Sequence, residues 1–177
     1  MVTGNCEQID NMINRVFRDC QIKEKIAIGG FGTVYKAIDR KLGATRAIKI
    51  FHPHLSEEKG FRRRFEVEMR TLAQLDHVNI VRIIGAIEEP DVTGFIMEYI
   101  EGEPLNEIIE TKGALSIPKV KDIFTQLGRA IAYAHSFQII HRDLSPDNVI
   151  IRPDGVVKIM DFGIAKAIGS KQQEKLT

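Results

Sequence analysis

The sequence predicts an α+β fold in two parts, a sheet-rich first part followed by a mainly helical second part. Two patterns lead to this prediction. Between residues 21 and 100, short runs rich in Ile, Val, Thr and Tyr are broken by Gly, Pro and Asp, which is typical of antiparallel strands and their turns. After Gly102, the apolar residues recur at the spacing of helices that bury one face.

The first part is expected to contain five antiparallel strands and one helix. It follows a polar lead-in, residues 1–20, whose apolar residues have helical spacing. Residues 21–51 predict three strands, and residues 80–87 and 95–100 predict two more. The helix between them ends near His77, and its apolar face contains Phe61, Phe65, Met69, Leu72 and Leu75.

The second part begins at residue 102 and is expected to be mainly helical. A short helix is predicted at 105–110 and a long one at 117–137, with apolar residues on more than one face of the long helix. Two short strands follow, at 149–151 and 156–160. The turn between them is Pro153-Asp154-Gly155.

Composition argues against several classes of protein. The 25 Lys and Arg nearly balance the 24 Asp and Glu, so no overall field favours nucleic acid or an anionic membrane as a partner. The basic cluster at 62–64 alternates with glutamates, which indicates a solvated helix face. Cys6 and Cys20 have no metal-binding spacing. The sequence contains no run of about 18 apolar residues, the length needed to span a membrane. No secretory signal opens the chain, so a cytoplasmic setting is expected.

Residues 27–34 form a glycine-rich turn between two predicted strands. The run reads Ala27-Ile28-Gly29-Gly30-Phe31-Gly32-Thr33-Val34. Without side chains, backbone amides can approach phosphate oxygens. A plain hairpin would have the same composition, so this segment alone leaves both interpretations open.

Lys49 is a cation in the middle of an apolar strand. Desolvation makes such a charge costly unless an anion meets it. Glu68, on the following helix, is the best-placed carboxylate. The alternative is that the Lys49 amine extends to solvent.

A third cluster of polar residues lies in the loops of the second part. It comprises His141-Arg142-Asp143-Leu144-Ser145-Pro146-Asp147-Asn148 and, 13 residues after Asn148, Asp161-Phe162-Gly163. Asp143 offers a potential base, and Asn148 and Asp161 offer oxygen ligands of the kind that Mg²⁺ prefers.

Taken together, these residues resemble the signature of the protein kinase family. The glycine-rich loop, strand lysine, helix glutamate, H-R-D-x-x-x-x-N and D-F-G occur in the order of that family. Further matches are His77-Val78-Asn79-Ile80-Val81, Met97-Glu98-Tyr99 and Val157-Lys158-Ile159-Met160. The resemblance extends over residues 21–167 and is closest to bacterial Hanks-type Ser/Thr kinases. It implies a bilobal fold, with an ATP-binding N-lobe at 21–101 and a partial C-lobe at 102–177.

The resemblance also implies a role for each of these residues. Lys49 would hold the α- and β-phosphates of ATP, and Glu68 would orient it by an ion pair. Asp143 would act as the catalytic base toward a Ser or Thr hydroxyl of a protein substrate, while Asn148 and Asp161 would bind Mg²⁺. The implied ATP contacts are Ile26, Ala27, Ile28, Gly29, Gly30, Phe31, Gly32, Val34, Ala47, Lys49, Met97, Glu98, Ile100 and Ile150.

The sequence departs from the family pattern in three ways. Ala27 replaces the first glycine of the loop, and Ser145 replaces a lysine that Ser/Thr kinases usually carry near the γ-phosphate. The chain also reaches Thr177 without an A-P-E motif or the later helices of the large lobe. We therefore expect exposed apolar surface around the 117–137 helix, self-association, and little or no activity of the isolated chain.

Two other functions remain open at this point. One is a nucleotide-binding module without catalytic activity, which Ser145 favours. The other is a small-molecule phosphotransferase of related fold, which the full H-R-D and D-F-G context disfavours. Ser170 and Thr177 are the hydroxyls available for a phosphate that pairs with Arg142.

Overall fold

The computed structural model describes residues 12–56 and 60–162. This part of the chain forms two compact units. The first contains residues 12–69, without 57–59, and residues 83–99; the second contains residues 70–82 and 100–162. The limits inferred from the sequence, at 20/21 and 101/102, stay a prediction.

The first unit is built on a six-stranded sheet. Its strands are β1 Val16–Phe17, β2 Cys20–Ile28, β3 Gly32–Asp39, β4 Thr45–Phe51, β5 Ile83–Glu88 and β6 Thr93–Glu98. They lie in the order β1-β2-β3-β4-β6-β5, with every neighbouring pair antiparallel. The five strands expected from the sequence are all present, although β5 covers residues 83–88 where 80–87 was predicted and β6 covers 93–98 where 95–100 was predicted.

The sixth strand, β1, corrects the prediction of a helical lead-in. Residues 12–14 form a turn and Val16–Phe17 pair with β2, so no helix covers residues 12–20. Positive φ angles at Asn14, Arg18 and Asp19 are incompatible with a continuous right-handed helix. Phe17 is buried by this pairing. The rest of the predicted lead-in, residues 1–11, lies outside the described residues.

The two faces of this sheet bury different side chains. One face contributes Tyr35, Ile48 and Ile96, which lie opposite one another on adjacent strands and belong to the main apolar cluster. The other face is covered by helix α2, Phe61–Leu72, which follows the short helix α1, Pro53–Ser56. Phe51 lies edge-on to both Phe61 and Phe65, with ring centroids 5.5 Å apart in each case. Helix α2 confirms the predicted helix but ends at Leu72.

Two arginines hold the turn between β5 and β6. Arg15 lies 3.0 Å from the Glu89 carboxylate, and Arg62 donates to the backbone oxygens of Glu89 and Pro90. Arg62 is therefore more than part of a solvated helix face. It fixes the backbone of the turn between β5 and β6.

The second unit combines two helices with a small sheet. Helices α3, Leu105–Lys112, and α4, Ile117–Ser136, confirm the two predicted helices. The sheet has the order β7-β8-β9, from Glu103–Pro104, Val149–Ile151 and Val157–Ile159. Strand β7 was not predicted, because a pair of residues that includes a proline has no strand-like pattern.

Helix α4 exposes part of its apolar surface. Ile123, Leu127, Ala130 and Ala134 are buried. Ile117, Val120 and Phe124 are exposed on successive turns, Phe124 at 68% of its full surface. Apolar residues thus lie on more than one face, as predicted, and self-association through them stays a prediction. Within the described ranges, neither this helix nor any other combines the length and apolarity needed to cross a bilayer.

Candidate active site

The glycine-rich turn joins two paired strands of the first unit. Ile28, the last residue of β2, lies opposite Thr33 of β3, and the amide of Gly29 donates to the Gly32 oxygen at 2.8 Å. The turn is therefore closed at its base by its own backbone. Ile26 and Ile28, both predicted to contact nucleotide, are exposed, and Ile28 keeps 66% of its surface accessible.

Two glycines of this turn, Gly30 and Gly32, have different surroundings. A Cβ on Gly32 would lie 2.2 Å from the Ile50 oxygen, so the pairing with β4 itself excludes a side chain there. A Cβ on Gly30 would meet nothing within 4 Å among the described residues. The fold therefore explains the glycine at position 32 and leaves the space beside Gly30 open for a ligand.

One face of the sheet collects most of the remaining residues that the sequence assigned to nucleotide binding. Directly opposite residues of neighbouring strands share a face. Val34 lies opposite both Ala27 and Lys49, and Ala47 lies opposite Met97. Since alternate residues of a strand point the same way, all five side chains lie on the face that α2 covers.

Lys49 and Glu68 are both buried within the first unit. Lys49 retains 6% of its surface and Glu68 retains 8%. Each has an electrostatic or hydrogen-bonding interaction, so neither is a free buried charge. Buried charged groups persist only where their charge is compensated, and the alternative of a Lys49 amine extended to solvent is therefore wrong.

The loop of residues 141–148 is held together in the second unit by hydrogen bonds to its own backbone. The Asn148 side chain donates from Nδ2 to the Asp143 oxygen at 2.7 Å, and the Asn148 amide donates to the Ser145 oxygen. The Met160 amide donates to the Asn148 oxygen at 2.9 Å. These contacts place the backbone just before Asp161 beside the loop, while the Asp143 side chain stays exposed.

One residue of this loop and one beside it adopt left-handed backbone conformations. Arg142 has φ of +71° and Asp161 has φ of +61°. Such conformations cost about 1–3 kcal/mol for residues other than glycine and concentrate at functional sites. They lie beside Asp143 and within the Asp161-Phe162 pair, where the sequence motifs already indicate a site.

His141 is buried and contacts the backbone just before Asp161. Its Nε2 donates to the Met160 oxygen at 2.8 Å, and its ring lies 4.6 Å from that of Phe162. Nδ1 is buried with no hydrogen-bond partner among the described residues. Burial lowers the pKa of His141, although the Met160 hydrogen bond and the Asp161 and Asp143 carboxylates oppose this shift.

Comparison with known proteins identifies the family. The sequence profile of the protein kinase domain matches residues 20–177. The chain belongs to the protein kinase family. It is 39% identical to the serine/threonine-protein kinase PknA of Mycobacterium tuberculosis over 153 residues, which are 84% of this chain and 36% of PknA. The chain thus spans about a third of the length of this kinase.

Solved kinase structures are similar in fold. The crystal structure of the M. tuberculosis PknI kinase domain superposes with a TM-score of 0.77 at 25% identity, covering 85% of this chain and 61% of that one. A crystal structure of Rad53 residues 1–466 in complex with AMP-PNP gives a TM-score of 0.73 at 37% identity, covering 83% and 39%. Both likenesses agree with the kinase-like α+β fold expected from the sequence.

The residues expected to hold Mg²⁺ fit that ion in chemical type. Because Asn148 uses its Nδ2 toward Asp143, its Oδ1 is the atom left to face a cation, and Asp161 adds a carboxylate. No group of three or more His, Cys, Asp or Glu side chains within the described ranges could hold a metal alone. An amide and one carboxylate would leave most of an octahedral shell to water and phosphate, as is usual for kinase Mg²⁺.

The other predicted site residues are distributed over both units. Glu98 ends β6 in the first unit, and Ile100 and the half-buried Ile150 of β8 belong to the second. Gly163 and the two candidate phosphorylation residues, Ser170 and Thr177, lie outside the described residues. His52 contacts the glycine-rich turn and was missed, since a histidine just after a strand has no distinguishing pattern.

Proposed function

We propose that this chain provides the nucleotide-binding residues and the catalytic loop of a protein kinase that transfers the γ-phosphoryl group of ATP to Ser or Thr hydroxyls of proteins. The observation that carries this proposal is the bond from Asn148 Nδ2 to the Asp143 oxygen in a chain of the kinase family. That bond holds the backbone of Asp143, the proposed base, beside Asn148, the proposed amide ligand. The separate bond from the Met160 amide to the Asn148 oxygen brings the backbone just before Asp161 to the same loop.

The residues of the first unit would bind the nucleotide. The Gly30 and Phe31 amides at the tip of the glycine-rich turn suit phosphate oxygens. Lys49 is buried and charged, and we propose that it meets the α- and β-phosphates while Glu68 orients it. Val34, Ala47 and Met97 would form the apolar surface for adenine, with backbone groups of Glu98 and Ile100 as hydrogen-bonding partners. The Rad53 structure with AMP-PNP supports nucleotide binding in a chain of similar fold.

The residues of the second unit would carry out the transfer. The exposed Asp143 carboxylate would accept the proton of the substrate hydroxyl. At the same time, the hydroxyl oxygen of the substrate forms a bond to the γ-phosphorus. The bond between that phosphorus and the bridging oxygen breaks, and ADP leaves. Asn148 Oδ1 and Asp161 would hold Mg²⁺, which when bound neutralises phosphate charge.

A second candidate function is nucleotide binding without phosphoryl transfer. Ser145 stands where the family usually has a lysine, and its hydroxyl donates to the Asp147 carboxylate at 3.3 Å. This residue thus brings no positive charge to the loop. Loss of one transition-state cation would lower the rate of transfer more than the affinity for ATP.

Two measurements on the purified chain test these functions. Calorimetric titration with ATP, with and without Mg²⁺, should give binding that requires the metal. Because the isolated chain is expected to have little activity, transfer from radiolabelled ATP to a generic Ser/Thr protein substrate is followed over long incubations at high chain concentration. Transfer above the level of an Asp143→Asn control separates the kinase from the non-catalytic module. Absence of any ATP binding by folded protein would refute both.

A further inference from the structure

His52 contacts the glycine-rich turn through its backbone and its side chain. It follows β4 directly, and its amide donates to the Phe31 oxygen at 3.1 Å. Its ring Nε2 lies 3.0 Å from the Gly29 oxygen. A carbonyl oxygen only accepts hydrogen bonds, so Nε2 must carry the hydrogen. One residue therefore binds the carbonyl groups on both sides of Gly30.

These two bonds act on the part of the turn that the strands leave unpaired. The register of β2 and β3 ends at Ile28 and Thr33, and the Gly29 amide closes the base by bonding to Gly32. Within the described part of the chain, the amides of Gly30 and Phe31 have no backbone acceptor. With the Gly29 and Phe31 carbonyls engaged by His52, these two amides remain available at the tip.

The ring of His52 is also oriented from its other side. It stacks on the exposed ring of His54 at a centroid distance of 5.8 Å and an interplanar angle of 18°. The side-chain bond to Gly29 is not needed to pair β3 with β4. Those strands are already paired along their length, from Gly32 opposite Phe51 to Ile38 opposite Thr45. It therefore requires an explanation other than sheet formation.

We propose that His52 is a positioning residue for phosphate binding by the glycine-rich turn. By fixing the Gly29 carbonyl it orients the peptide that carries the Gly30 amide, so less conformational entropy is lost when phosphate oxygens bind there. This inference rests on the proposed nucleotide binding. Its distinguishing consequence is selectivity, because only ligands with phosphates should depend on His52.

The experiment compares three variants of the full chain. His52→Ala removes the donor, whereas His52→Gln places an amide nitrogen at nearly the same reach as Nε2. His54→Ala removes the stacking partner and leaves the donor in place. Calorimetric dissociation constants are measured for Mg·ATP and for adenosine, and backbone amide hydrogen exchange is followed in the nucleotide-free proteins.

We expect His52→Ala to weaken Mg·ATP binding about threefold, the effect of one exposed hydrogen bond. Adenosine affinity should not change, His52→Gln should recover most of the loss, and His54→Ala should behave nearly as wild type. Exchange of the Gly29 amide should be faster in His52→Ala.

Two results would overturn the inference. Equal losses of affinity for Mg·ATP and adenosine in His52→Ala would indicate a general structural role. Unchanged amide exchange and unchanged affinity in that variant would show that the bond from His52 to Gly29 does not order the turn. A folded wild-type chain that binds neither ligand would instead refute the proposed function. The exchange comparison would then decide by itself whether His52 orders the turn.

Discussion

The glycine-rich turn and the loop at 141–148 are built in different ways. The turn lies between two strands whose register fixes its ends, and its residues matter chiefly for the side chains they lack. The loop has no such frame, and specific donors hold it, above all Asn148 on the Asp143 oxygen. Changes in the turn should therefore act through space and shape. In the loop, changes should act through the loss of particular atoms.

The largest effect is expected in the loop, at Asp143. Its structural contact uses the backbone oxygen, so Asp143→Asn should leave the loop closed while removing the proposed base. We expect the weak transfer from radiolabelled ATP by the wild-type chain to fall about 10²–10⁴-fold, that is, to background, with unchanged Mg·ATP affinity. Asp147→Asn, an exposed carboxylate in the same loop, is the matched control. A comparable loss in that control would contradict the assignment of the base.

A smaller effect is expected at Lys49, on the sheet face beside the turn. Lys49→Met keeps most of the apolar stem but removes the charge proposed to meet phosphates. Hydrogen bonds to charged groups contribute about 1.5–3 kcal/mol, so Mg·ATP should bind at least tenfold more weakly by calorimetry.

The control for Lys49 is Lys36→Met. Lys36 lies on the neighbouring strand and the same face, opposite Ala47, and is paired with Glu24. Equal Mg·ATP affinities of the wild type and the Lys49→Met variant would show that Lys49 does not bind the nucleotide.

The two glycines of the turn separate shape from ligand binding. Gly32→Ala forces a Cβ against the Ile50 oxygen and should destabilise the chain by about 1–3 kcal/mol in urea unfolding. Gly30→Ala meets open space and should change stability by less than about 0.5 kcal/mol. We expect it nevertheless to weaken Mg·ATP binding. The reverse pattern of stabilities would show that the turn is held differently.

The smallest effect is expected from the titration of His141. Its pKa is lowered in the folded chain by burial, so the unfolded chain binds a proton more readily. The contribution of His141 to the free energy of unfolding is fully present above its pKa in the unfolded chain, about 6.5. It is lost progressively as the pH falls below that value. His77, whose pKa is lowered by burial and by Lys158, acts in the same direction. An NMR titration showing a His141 pKa above 6.5 would contradict this account.

Much of the fold could be predicted from sequence because its elements have local patterns. Short runs rich in Ile, Val, Thr and Tyr between turn residues marked the five longer strands, and helical periodicity marked α2, α3 and α4. Strands β1 and β7 were missed because two-residue strands depend on partners elsewhere in the chain. The lead-in at residues 12–20 shows the opposite error, where helical spacing was overridden by turn geometry.

The candidate site divides in the same manner. Motif order indicated Lys49, Glu68, Asp143, Asn148 and Asp161, whose roles stay predictions. Sequence could not indicate that Asn148 binds the Asp143 carbonyl rather than its carboxylate, or that Asp161 has a positive φ. It also gave no sign of the contact between His52 and Gly29, since that bond depends on where β4 ends beside the turn.

The anchoring of Asn79 has a consequence for the order in which the chain folds during synthesis. Asn79 is buried, and its Nδ2 donates to the Val157 oxygen and to Gln126 Oε1, each at 2.8 Å. Gln126 and Val157 are synthesised long after residues 12–51, which can pair into β1–β4 as soon as they leave the ribosome. Contacts between residues so far apart in sequence form late. On a growing chain, residues 70–82 should therefore become protected from hydrogen exchange later than residues 12–51. They should also be cleaved more readily by proteases than those residues.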